Sequence, residues 1–183
     1  MNHGIILDAF CGLGGDIIHL SKRTFSIGCD IDRDRLLDGR IIHEAVGSNR
    51  VEYILCDSMR GISCFRSNAF DLVYLSPPWG HQAIRNRRKA PVFGLRSLRS
   101  LAVDGFEAFT RALRLCRNRN ICYYLPRGMD VEELKTLAAL TGDPDRMVVD
   151  IHASFDPDDE TVPDASRYKV RAITIYFGEL ADQ

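Results

Sequence analysis

Asp8-Ala9-Phe10-Cys11-Gly12-Leu13-Gly14-Gly15 follows directly on an apolar stretch, Ile5 to Leu7, near the start of a 183-residue chain. Glycine lets the backbone turn sharply and come close to a ligand, and the helix expected from about Asp16 points its N-terminal amides at that turn. Strand, glycine turn and helix form the first half of a βαβ unit, from which parallel sheets are built.

The alternation continues along the chain. Phe25 to Cys29 reads as a second strand, followed by a helix from about Arg33 to Val46 that Gly47 closes. Further strands are expected at Val51 to Leu55, Phe70 to Leu75, Ile121 to Leu125, Met147 to Ile151 and Val170 to Phe177. The last of these alternates in the manner of a strand with one wetter face. Asp104 with Glu107 resembles a capping box for a helix running to about Cys116, and another helix is expected near Val131 to Leu140. Seven strands and four or five helices fit one α/β domain spanning residues 1–183. There is no internal repeat, and Asp156 to Ser166 reads as one polar loop.

Two cofactor classes use a glycine turn of this kind. A dinucleotide fingerprint, G-x-G-x-x-G, needs its third glycine where this chain has Ile17. Asp8, four residues ahead of Gly12, matches instead the acidic-x-x-x-G-x-G turn of methyltransferases that hold the cationic methionine end of S-adenosylmethionine. Asp30 ends the second strand 18 residues after Gly12, near the offset of an acid that hydrogen-bonds ribose hydroxyls. Its other reading is a helix N-cap, for which Asp32 is the better candidate. Asp57 follows the third strand, where it could accept from an adenine amine or simply serve a turn. Three acids after three consecutive strands together favour cofactor contacts, because α/β sheets bind ligands at that side.

After the fourth strand stands Ser76-Pro77-Pro78-Trp79-Gly80. A turn of two prolines is rigid and leaves carbonyls free to accept hydrogen bonds, since neither proline has a backbone N–H. The combination suits methylation of an amine: Ser76 Oγ and the Pro77 carbonyl accept the amino hydrogens, while the aromatic ring of Trp79 stacks on a planar base. Holding nitrogen and methyl in line is the main contribution, on the order of 7 to 11 kcal/mol at best.

Composition narrows the setting. Six cysteines are scattered without a C-x-x-C pair or a metal-ligand cluster, which suggests buried, reduced thiols and no metal. The apolar start, broken by Asp8, is neither a signal peptide nor a membrane span, so nuclear or cytoplasmic residence is expected. Net charge is −1, yet ten Lys or Arg face two acids between Arg85 and Arg119, whereas eleven acids face two bases between Asp130 and Asp164. The basic stretch suits phosphate binding or is a solvated face.

DAFCGLGG, the DID of Asp30 to Asp32, SPPWG, DGFEAF from Asp104 and YYLPRG from Tyr123 together resemble the trimethylguanosine synthase family, which hypermethylates the caps of small nuclear and nucleolar RNAs. The similarity covers nearly the whole chain. It implies a Rossmann-like S-adenosylmethionine-dependent fold, a seven-stranded mostly parallel sheet with an antiparallel last strand. It further implies S-adenosylmethionine as methyl donor, S-adenosylhomocysteine as product, and 7-methylguanosine-capped RNA as partner. Asp8, Phe10, Cys11, Gly12, Gly14, Asp30 and Asp57 would serve the cofactor. Ser76, Pro77 and Trp79 would carry the transfer, with Pro78 beside them and Trp79 stacked on the cationic 7-methylguanine. Arg127 would meet the cap triphosphate.

The resemblance has departures. Family members have a helical extension ahead of the first motif that helps form the substrate pocket and covers the cofactor, and here seven residues precede Asp8. The expectation is a monomer lacking that extension, which binds loosely, stops at one methyl, or borrows a protein partner. An asparagine expected near the end of the second helix is replaced in a neighbourhood of Ile41, Ile42 and His43. The basic segment after Gly80, with Arg87 and Arg88, would compensate through phosphate contacts. Two other readings stay open: an amino-group methyltransferase acting on an internal base or a protein amide, and a non-catalytic cap- or RNA-binding protein.

Overall fold

The computed structural model describes residues 4–47, 49–79, 94–95, 103–155 and 168–182. Seven strands form one sheet: β1 (Ile5–Asp8), β2 (Phe25–Asp30), β3 (Val51–Leu55), β4 (Leu72–Leu75), β5 (Ile121–Pro126), β6 (Met147–Phe155) and β7 (Tyr168–Phe177). Their order is β3-β2-β1-β4-β5-β7-β6. Neighbours from β3 through β5 are parallel, and β7 runs antiparallel to both β5 and β6. The chain progresses outward from β1 to β3, then returns to β4 on the other side of β1. That reversal opens a crevice at the carboxyl ends of β1 and β4, where open α/β sheets bind ligands.

The helices are α1 (Gly15–Leu20), α2 (Arg33–Ala45), α3 (Gly105–Leu115) and α4 (Val131–Leu140), with 3-10 turns at Gly61–Cys64 and Gly178–Asp182. Local chemistry starts each long one. Asp32 Oδ1 accepts from the amides of Asp34 and Arg35, and Asp130 accepts from the Glu132 amide. Asp104 Oδ1 accepts from the amides of Phe106 and Glu107. Glu107, expected to reach back in a capping box, turns its Oε1 to Arg111 at 2.6 Å. Gly47, at φ 72°, ends α2 with its amide on the Glu44 carbonyl.

Burial orders the rest. α3 presents Ala108, Phe109, Ala112 and Leu115 on one stripe to the sheet, the spacing of an amphipathic helix. Phe109 meets Phe177 edge-on at 4.8 Å and stacks on Tyr123 at 6.1 Å. The buried Tyr123 hydroxyl donates to the Gly105 carbonyl at 2.9 Å, joining β5 to the start of α3.

Three expectations are corrected. The fourth strand begins at Leu72, because Phe70 turns aside and exchanges backbone hydrogen bonds with Leu115 and Arg117. Strands β6 and β7 outrun their expected ends, since they pair with each other as far as Phe155 and Tyr168 beyond the last β5 partner. Cys64 is exposed and Cys56 half-buried, unlike the four buried thiols. The expected loop of Asp156 to Ser166 lies outside the described residues. No helix of the described residues is long and apolar enough to cross a membrane.

Candidate cofactor and substrate cleft

The carboxyl ends of four parallel strands converge on a cleft of about 530 Å³. Phe10 and Gly12 come from the turn after β1, Asp30 and Ile31 from the end of β2, Asp57 and Met59 from the turn after β3, and Ser76 and Pro78 from the turn after β4. Val103 closes the wall. This volume lies within the roughly 300 to 1,000 Å³ typical of small-molecule sites.

The glycine turn is held by the acids around it. Asp8 Oδ1 accepts the Phe10 amide at 3.3 Å, and Asp30 Oδ2 accepts the Gly12 amide at 2.8 Å. Asp30 Oδ1 also takes the Asp32 amide at 2.9 Å, fixing the entry to α2. A carboxylate has about four lone-pair sites, so these bonds leave Asp30 able to accept from a ligand as well. Gly12 sits at φ 55°, and a β-carbon there would meet nothing within 4 Å. The absent side chain is therefore left open on the cleft side. Gly14, at φ 85°, is glycine for the opposite reason: a β-carbon would strike the Tyr53 hydroxyl behind the turn.

Asp57 works in the same double manner. Its Oδ1 accepts the amides of Met59 and Arg60, while the neighbouring Ser58 hydroxyl donates to the Ala9 carbonyl. Ser58 thus ties the third acidic turn to the first. No feature of the sequence marked it, because a serine after an aspartate is ordinary turn composition.

Asp8 is fully buried, and its Oδ2 has no hydrogen-bond partner among the described residues. Burial pushes its carboxyl from the ordinary 3.8 up to about 8; the Phe10 amide opposes this, and Asp16 and Asp30 add to it. An unpaired buried carboxyl beneath a glycine turn fits a site that receives a cation. The cleft above it carries acids for hydroxyl or amine donors and apolar walls of Phe10, Ile31, Met59 and Val103 for a flat ring. These features together suit a nucleoside bearing a positively charged arm.

The remaining expected residues are distributed differently. Cys11 is buried with its amide on the Cys29 carbonyl and its sulfur toward Gly28, so it packs the turn rather than lining the cleft. Pro77 is buried beneath Ser76 and Pro78. The Trp79 ring leans on Tyr123, centroids 6.1 Å apart and planes at 37°, and its buried Nε1 has no partner among the described residues. Arg127 is exposed and donates to the Val170 carbonyl in β7 at 3.0 Å; it is not among the residues that line the cleft. Arg87, Arg88 and Gly80 lie outside the described residues.

Comparison with known proteins places this geometry among relatives. A family model described as RNA cap guanine-N2 methyltransferase matches residues 3–163. The trimethylguanosine synthase of Schizosaccharomyces pombe is 30% identical over 145 residues, which make up 76% of this chain. The chain spans 57% of that relative's length. Among solved structures, the YcgJ protein from Bacillus subtilis superposes with a TM-score of 0.61 at 12% identity, covering 97% of this chain and 93% of that one. SMU.1697c from Streptococcus mutans, solved in complex with SAH, gives a TM-score of 0.52 at 16% identity over 94% of this chain and 88% of its own. Both likenesses are of fold.

Proposed function

Since the chain belongs to the RNA cap guanine-N2 methyltransferase family, we propose that it methylates the exocyclic 2-amino group of a 7-methylguanosine RNA cap, with S-adenosylmethionine as donor. One observation carries the reading. Gly12, Asp30 and Asp57, which suit the cofactor, and Ser76 and Pro78 of the turn that suits an amine, line the same cleft. Bound S-adenosylmethionine supplies an electrophilic methyl group on a sulfonium.

The chain's own residues do the rest. Asp30 accepts from ribose hydroxyls and Asp57 from the adenine amine, while Phe10, Ile31, Met59 and Val103 enclose the ring. Gly12 lets the backbone approach the methionine arm, and Asp8 answers the charge of its ammonium. Ser76 Oγ and the Pro77 carbonyl accept the hydrogens of the guanine 2-amino group and turn its lone pair toward the methyl carbon. On transfer of the methyl group from sulfur to nitrogen, the amine proton would leave along the hydrogen bond to Ser76 Oγ toward water. Orientation supplies most of the acceleration, so no strong base is needed. Trp79 stacks on the cationic guanine through the ring face turned from Tyr123. Arg87 and Arg88 contact the cap phosphates. Small nuclear and nucleolar RNAs are the substrates this reading favours, and the nucleus or cytoplasm is where it would have the protein act.

Two variants separate the walls of the cleft. Asp30→Ala is expected to lose S-adenosylhomocysteine affinity, whereas Ser76→Ala keeps it and loses methyl transfer by about tenfold, the worth of one hydrogen bond. Loss of cofactor affinity in Ser76→Ala would contradict the division.

A further inference from the structure

On the side of the glycine turn away from the cleft stand two polar side chains that the chemistry above does not use. A β-carbon at Gly14 would meet the Tyr53 hydroxyl, and His43 Cε1 at 3.3 Å. One at Gly39, inside α2, would meet the Leu13 carbonyl oxygen at 2.9 Å and Tyr53 Cζ at 3.3 Å. Two glycines on different elements thus make room for one tyrosine ring, wedged between the turn and α2. Its hydroxyl is hydrogen-bonded to Nδ1 of His43, whose ring it meets edge-on with centroids 5.4 Å apart.

His43 is buried at 3% exposure. Its Nδ1 also lies 3.2 Å from the Gly39 carbonyl, and its Nε2 has no partner among the described residues. Whichever ring nitrogen carries the proton, Nε2 is a buried polar atom whose hydrogen bond is left unmade among the described residues. Such a group costs stability, and a phenylalanine over a leucine would fill the space without that penalty. The polar pair is therefore poor as mere packing, whereas it is well placed to fix a backbone. The turn is closed by the Gly14 amide on the Cys11 carbonyl at 2.8 Å, so a side chain that fills the space beside Gly14 bears on the backbone that carries Gly12 to the cleft.

We propose that Tyr53 and His43 are positioning residues, which hold the Gly12–Gly14 turn from behind and thereby set the affinity of the cleft for the cofactor. The proposal rests on the methyltransferase reading of the cleft. The pair acts with Asp30, which pulls the same turn from the other side through the Gly12 amide.

Calorimetric titration with S-adenosylhomocysteine tests it. Tyr53→Phe keeps the ring and removes the hydroxyl, and is expected to weaken binding by about tenfold, as the loss of one hydrogen bond would. The KM for S-adenosylmethionine should rise in step while kcat holds. Unchanged affinity, or a fall in kcat with unchanged KM, overturns the proposal. Should Tyr53→Phe fail to fold, His43 gives the second reading. His43→Leu is expected to weaken binding, and His43→Asn, which keeps a hydrogen-bonding group near the place of Nδ1, to restore it. Equal affinity of the two overturns the proposal. A wild-type protein that binds no S-adenosylhomocysteine overturns the reading of the cleft and this inference together. Binding by wild type with equal binding by Tyr53→Phe overturns the inference alone.

Discussion

Asp30 Oδ2 accepts the Gly12 amide at 2.8 Å, so the acid that ends β2 holds the turn that ends β1. One carboxylate therefore shapes the glycine turn and offers its remaining lone pairs to the cleft. Asp30→Ala removes both services at once. It is expected to weaken S-adenosylhomocysteine binding by at least the value of a charged hydrogen bond, about 1.5 to 3 kcal/mol. Calorimetry checks this, and unchanged affinity would move the ribose contact elsewhere.

Asp8 gives the cleft a pH dependence whose sign follows from burial. Its carboxyl, pushed up to about 8 from 3.8, holds a proton in the folded protein across a range where the unfolded chain has released it. That contribution to stability is fully present below 3.8 and is lost as pH rises through about 8. Asp8→Asn, neutral throughout, should flatten the decline between pH about 4 and about 8 in urea unfolding. A cation bound beside Asp8 favours its ionised form, so S-adenosylhomocysteine binding should release a proton below pH 8 and tighten as pH rises toward that value. Affinity that falls over this range would place the ammonium away from Asp8.

Much of this arrangement was legible in the sequence because it is local. Strand, glycine turn and acid repeat at short spacing, so Asp8, Asp30, Asp57 and the Ser-Pro-Pro turn could be placed at one end of a parallel sheet before any coordinates. What is not local was hidden. That Asp30 spends two bonds on backbone, that Ser58 ties two turns together, and that Gly14 yields to Tyr53 all depend on contacts across strands. Gly39, a glycine inside a helix, and His43, a lone histidine on the same helix, were the only marks of the brace behind the turn. Trp79 and Arg127 show the same. Their motifs marked them, but not that the indole leans on Tyr123 or that the guanidinium donates to the Val170 carbonyl.

Phe109 joins α3 to the sheet through Tyr123 and Phe177. Phe109→Ala should cost about 3 to 5 kcal/mol, the range for a buried aromatic deletion. Urea unfolding would register it as a lower midpoint. S-adenosylhomocysteine affinity should persist wherever the variant stays folded, because Phe109 contributes nothing to the cleft wall.

Trp79 follows the amine-accepting turn, on the nucleotide side of the proposed site. Trp79→Ala is expected to abolish methylation of a cap while S-adenosylhomocysteine binding persists in titration. Equal loss of both would make its packing on Tyr123 its whole role.

The basic residues Arg87 and Arg88 are expected to contact cap phosphates. Replacing both with alanine should weaken binding of 7-methyl-GTP more than of 7-methylguanosine and flatten its salt dependence, since each phosphate contact contributes to the slope. A parallel response of nucleoside and triphosphate would sink the idea.

The central claim is that this cleft delivers a methyl group to the 2-amino nitrogen of a guanine already methylated at N7. The direct measurement is transfer from S-adenosylmethionine to 7-methyl-GTP against GTP, with products resolved by mass and the new methyl located by fragmentation. The account predicts one or two methyls on N2 of 7-methyl-GTP and none on GTP. Equal methylation of both, or a methyl found on any other atom, would contradict it.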